Sequence, residues 1–169
     1  LCLCLPLVAA CGGGDAKTYS FRYGSATLTP GTPAKDALTA LGEPLSFSES
    51  GSCGGIPGTD KVYRYTGFTV YTLPGIEGDM VNAIVLTDDS VKTPEGLSIG
   101  STRQDVTDAL GIGEQSGDTL TFVGGSTRLT FSLRDGKVTG IRVERMALGE
   151  PDEKGRRKPV GTGEFETLA

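Results

Sequence analysis

Two stretches of this chain carry apolar residues at helical spacing, and each is followed by three runs of alternating apolar and polar residues. Ala34, Ala37, Leu38 and Leu41 mark one face of the first stretch, and Val106, Ala109 and Leu110 mark one face of the second. The pattern predicts helices over 32–41 and 101–110. Thr32 is placed to cap the first, with Pro33 at the first helical position, where a missing N–H costs nothing. Ser101 is placed to cap the second, and Gln104 three residues on completes a capping box. Gly42 and Gly111 follow the last apolar residues, where a left-handed terminator is wanted. After the first helix the runs "KVYRYTG", "FTVYTLPG" and "MVNAIVLTD" have the period-two alternation and β-branched content of strands. After the second they are "TLTFVGG", "TRLTFSLRDG" and "KVTGIRVERM". Glycine-rich turns separate them, and Asp135-Gly136 is a strong hairpin signal.

The two halves also align with each other. Leu28 to Pro44 and Leu97 to Gly113 match without gaps, each residue meeting one 69 positions later. Gly31 meets Gly100, Asp36 meets Asp105 and Leu41 meets Leu110. An internal match of this kind is the mark of a repeated supersecondary unit. The expected fold is therefore α+β, two tandem repeats of a helix plus a three-stranded antiparallel meander, with both helices on one face. The first repeat spans 18–93 and includes a leading extended piece, "TYSFRYGSATL"; the second spans 94–147. Residues 148–169 lose all periodicity and mix Pro, Gly and charge, the composition of a disordered tail.

Strand alternation assigns Tyr63, Tyr65 and Tyr71 to the helix-covered side, with Leu120, Phe122 and Phe131 as partners. It leaves Arg64, Phe68, Val70, Val81 and Val85 on the opposite face of the first half, and Arg128, Thr130, Arg142 and Glu144 on that of the second. An exposed apolar patch beside arginines has the composition of a protein-binding surface. The candidate partner-binding residues are Arg64, Phe68, Val70, Arg128, Thr130 and Arg142. Cover by the extended piece, or self-association as a homodimer, are the competing uses of such a face.

The segment before Cys11, "LCLCLPLVAA", is apolar and ends in small residues. It is too short to span a bilayer as a helix and has the length of a signal-peptide hydrophobic region, clipped at its start. Residues 1–10 are read as that signal. Leu7 to Cys11 resembles the bacterial lipobox, with Val8, Ala9 and Ala10 preceding the cysteine. The resemblance implies acylation of Cys11, cleavage before it, and a flexible glycine tether over 11–17. The expected location is the bacterial cell envelope, anchored to the extracytoplasmic side of the membrane by lipid on Cys11. Cleavage would leave Cys11 and Cys53 as the mature cysteines, too few for a disulfide framework; Cys53 reads as a small apolar filler under a loop.

Charge and composition exclude several chemistries. The formal net charge is −5, which gives no electrostatic footprint for nucleic acid. The chain has no His, so neither a Ser-His-Asp nor a Cys-His arrangement can exist, and a zinc site would lack its usual donors. "GIGEQSG" follows a helix instead of linking a strand to one, the wrong order for cradling phosphate. No catalytic residue, metal or cofactor is expected. The reading is non-enzymatic, a binding or scaffolding protein with a protein partner. A glycan- or peptide-sensing lipoprotein is the alternative, and a carboxylate-dependent hydrolase is third.

The segment "EGLSIGSTRQDVTDALG", followed by a meander, resembles the superfamily of the β-lactamase inhibitor protein and the SmpA/OmlA family of outer-membrane assembly lipoproteins. "ATLTPGTPAKDALTALG" is a second, weaker match, and "KTPEGLSIGST" is similar to stretches in lipoproteins of clostridia-like bacteria. The resemblance covers roughly Ala26 to Met146. It implies paired helix-and-sheet repeats whose concave sheet grips a protein. The chain has no Trp and lacks the inhibitor's intradomain disulfides, so the resemblance implies a gripping face without naming its target.

Overall fold

A computed structural model describes residues 17–52 and 57–146, and the backbone of 148–151 and 157–159. Cys11, the signal segment and Cys53 lie outside the described residues. The element order is β1 (Phe21–Tyr23), β2 (Ala26–Leu28), α1 (Lys35–Leu41), β3 (Ser46–Gly51), β4 (Thr59–Tyr65), β5 (Phe68–Leu73) and β6 (Met80–Leu86), then α2 (Arg103–Leu110), β7 (Glu114–Ser116), β8 (Thr119–Gly124), β9 (Thr127–Arg134), β10 (Lys137–Arg145), β11 (Leu148–Pro151) and β12 (Arg157–Pro159).

This is a mostly β protein, which corrects the expected α+β class of two repeats. β3 to β10 form one continuous antiparallel sheet of eight strands, in the order β3-β4-β5-β6-β10-β9-β8-β7. The helices have only seven and eight residues. Each half adds an edge strand, β3 or β7, that the meander pattern does not contain. All residues of both edge strands are exposed, so no alternation advertises them; they form because β4 and β8 otherwise present unpaired backbone groups. β1 and β2 make a separate hairpin, and β11 pairs with β12 inside the segment expected to be disordered.

The 69-residue correspondence survives as two matching backbone anchors on the one sheet. Gly31 N–H donates to the Val81 carbonyl and Val81 N–H to Thr32; Gly100 N–H donates to Val138 and Val138 N–H to Ser101. β6 and β10 also carry a bulge at the same relative place. Tyr71 and Thr72 oppose Ala83 and Val81, so Asn82 is extra; Leu133 and Ser132 oppose Val138 and Gly140, so Thr139 is extra. An extra residue flips the facing of what lies beyond it. Val81 and Ile84 thus both enter the core, as do Val138 and Ile141. Strict alternation had put Val81 outside.

The helices start later than their sequence signals. α1 begins after Ala34, which is buried and offers no side-chain cap. α2 is capped by Thr102, one residue past Ser101. The Thr102 hydroxyl accepts from Asp105 N–H at 3.1 Å, and the Asp105 carboxylate accepts from Thr102 N–H at 2.7 Å. Gly42 (φ 76°, ψ −158°) and Gly111 (φ 82°, ψ −154°) end the helices in a region that only glycine enters freely.

The core lies on one side of the sheet, under the helices and the β1–β2 hairpin. Phe68 is its centre in the first half, with ring centroids of Phe21, Tyr23 and Tyr65 at 4.8, 4.9 and 5.1 Å. In the second half Phe122 meets Phe131 edge-on at 6.0 Å. The leading segment ties in at the far end, where Tyr19 N–H donates to Thr127 Oγ1 at 2.7 Å.

Candidate binding face

The other side of the sheet carries no helix. Cross-strand partners share a face, so the register reads out what that face presents. One row crosses seven strands: Arg64, Thr69, Val85, Arg142, Thr130, Thr121 and Glu114, each paired with the next. Beside it run Tyr71, Ala83, Glu144, Arg128 and Val123.

Of the six residues expected on this face, Arg64, Arg128, Thr130 and Arg142 are there. Phe68 and Val70 are not; both are fully buried on the helix side. The two-residue turn Thr66-Gly67 pairs Tyr65 directly with Phe68. Phe68 must then share the face of Tyr65, and Val70 that of Tyr63. The same register moves Tyr71 from its expected place under the helices to the open face. Phe68 and Val70 therefore belong to the core, and the face that remains mixes Val85, Ala83, Val123 and Tyr71 with its polar and charged side chains.

Its organising feature is a three-residue ion network. Arg128 Nε donates to Glu144 Oε1 at 2.8 Å, and its Nη2 donates to the same oxygen. Arg142 Nε donates to Glu144 Oε2 at 2.5 Å. The side chains of Glu144 and Arg128 are 16% and 21% exposed, that of Arg142 43%. Burial alone would raise the Glu144 pKa, but the hydrogen bonds from Arg142 and Arg128 outweigh it and hold the carboxyl below its ordinary value. Both carboxylate oxygens are occupied, so the trio carries one net positive charge. The Arg142 guanidinium sits 5.9 Å from the Tyr71 ring centroid, within cation–π range.

A groove of about 480 Å³ opens over this half of the sheet. Arg128, Arg142 and Glu144 line one end, Thr130 and Thr121 the floor, and Glu114 the outer end. The arrangement offers hydroxyls and guanidinium N–H groups, not a nucleophile with a base. Among the described residues no group of three or more Cys, Asp or Glu is placed to hold a metal ion. Glu144 stood on the expected face without being singled out, and Glu114 was missed because β7 has no apolar alternation. The signal that could have placed Tyr71 and Phe68 was the length of the Thr66-Gly67 turn.

No helix among the described residues is long and apolar enough to cross a membrane. No family model matches this chain. Among solved structures, it is similar to an extracellular protein containing a SCP domain from Bacillus anthracis, at 15% sequence identity and a TM-score of 0.42, over 76% of this chain and 49% of that one. The chain thus spans about half the length of that structure.

Proposed function

We propose that this protein is an extracytoplasmic, lipid-anchored binding protein that holds a protein partner on the helix-free face of its sheet. The observation that carries the reading is the Arg128–Glu144–Arg142 network. It is a preformed, half-buried charged group set in a groove, on the side of the sheet opposite the helices. The lipobox-like run ending at Cys11 supports the anchor and the compartment.

The test is photo-crosslinking in intact cells. A photoreactive amino acid replaces Thr121 on the open face or Asp36 on α1, which is exposed on the opposite side. A defined protein adduct from position 121 and none from position 36 is expected. Adducts from 36 alone, or from neither position, would overturn the binding-face reading. Cys11→Ala, followed by mass spectrometry of the N-terminal peptide, tests the anchor separately: the wild type carries acyl chains and the variant none.

A further inference from the structure

The row of side chains across the open face is more specific than a basic patch, and we infer that it recognises an extended segment of the partner with acidic side chains four residues apart. This inference rests on the binding-face reading. Arg64 stands on β4, Arg142 on β10 and Glu114 on β7, and every pair between them is in direct register. Three strand spacings separate Arg64 from Arg142, and three more separate Arg142 from Glu114. At about 4.8 Å per strand, each interval is about 14 Å. The row therefore presents charge in the order positive, positive, negative at equal steps.

An extended chain advances about 13 Å in four residues. A segment laid across the strands with acids at positions 1 and 5 and a base at position 9 would meet all three charges in turn. The middle acid has the best-built seat. Glu144 fixes Arg142 through Nε, and neither Nη of Arg142 donates to any described residue. Those N–H groups remain for an incoming carboxylate, with Arg128 held alongside. Arg64 is exposed and adds charge without a cradle. Between the charges, Thr130 and Thr121 offer hydroxyls to the backbone of the segment. The whole chain carries −5, so this row stands out against an acidic background and sets the register of an acidic partner.

The experiment titrates the isotope-labelled protein with an N-acetylated, C-amidated Gly/Ser peptide of eleven residues carrying Asp at positions 2 and 6 and Lys at 10. Its isomer carries Asp at 2 and 10 and Lys at 6. The expected result is movement of the Arg142, Arg128 and Arg64 Nε–H signals with the first peptide and at least tenfold weaker binding of the isomer. Arg142→Gln should lose at least tenfold, and Arg64→Gln, at an exposed site with no folding role, should lose less. Equal binding of the isomers, shifts away from the row, or no shift with the first peptide would overturn the inference. Tighter binding of a glucuronate oligosaccharide than of the peptide at the same signals would overturn it in favour of a glycan. A crosslink at position 121 that persists in Arg142→Gln keeps the binding face and removes the acidic segment. Loss of that crosslink in an otherwise folded variant supports both.

Discussion

At Glu144, burial and hydrogen bonding act in opposite directions, and the outcome fixes a pH dependence. The folded carboxyl titrates below its ordinary value of 4.5 because the contacts with Arg142 and Arg128 win. The folded state thus binds fewer protons than the unfolded chain as pH passes through this range. The stabilisation is present above the unfolded value and is lost as pH falls through the folded one. Glu144→Gln should cost about 1–2 kcal/mol at neutral pH, since the group is charge-assisted but not fully buried. Urea unfolding at a series of pH values should show the gap between wild type and variant closing below about pH 4; a gap independent of pH would remove this account. A second contrast concerns two residues that alternation placed together. Phe68→Ala opens a cavity at the meeting point of three rings and should cost about 3–5 kcal/mol. Arg64→Ala, exposed on the other face, should stay within about 0.5 kcal/mol. Thermal unfolding of the two variants separates a core position from a surface one.

Among the elements, the helices and six of the eight sheet strands were readable because their side chains repeat with the right period. What was not readable has one physical origin in each case. The edge strands have no buried face: "SFSESG" and "EQS" are held by backbone pairing, and the contact of Phe47 with the Tyr63 ring is too little to give an alternation. The bulges at Asn82 and Thr139 insert one residue and flip the facing of Val81, which a period of two cannot anticipate. Thr32 gives its hydroxyl to the Thr29 carbonyl at 2.8 Å instead of capping α1, and Ser101 Oγ accepts from Ser98 N–H at 3.1 Å, which leaves the α2 cap to Thr102. Two of the six candidate residues were lost to one unread turn; Arg64 and Arg128 lie on strands without an extra residue, and Arg142 lies on the near side of the β10 bulge, so the arginines kept their places. At the helix ends, Gly111→Ala should cost about 1–3 kcal/mol. Nothing lies within 4 Å of an added Cβ there, so the whole effect is torsional. Thr102→Ala should cost about 1 kcal/mol through the lost cap. The two changes act at opposite ends of α2, so amide exchange should show faster opening of the helix in each, with the sheet protection unchanged.

At the scale of the whole molecule, the seam between β6 and β10 decides whether the halves behave as one body. Four residue pairs join them in register: Ile141 with Leu86, Arg142 with Val85, Val143 with Ile84, and Glu144 with Ala83. On the core side the seam contributes Ile84, Leu86, Ile141 and Val143, all buried. The leading segment adds a second connection, since Phe21 packs on Phe68 in one half while Tyr19 bonds Thr127 in the other. On the open side the seam carries the row from Arg64 to Arg142, so that spacing exists only while the halves are joined. Neither half can close its core alone, because each would expose the apolar side of its central strand. Unfolding should therefore be a single transition that coincides by tyrosine fluorescence and far-ultraviolet circular dichroism. Ile141→Ala weakens the seam at a fully packed position and should lower the stability of the whole by about 2–5 kcal/mol, without splitting the transition. Two separated transitions in that variant would show that the halves fold independently. The spacing of Arg64 and Arg142 across the seam would then lose its rigid reference.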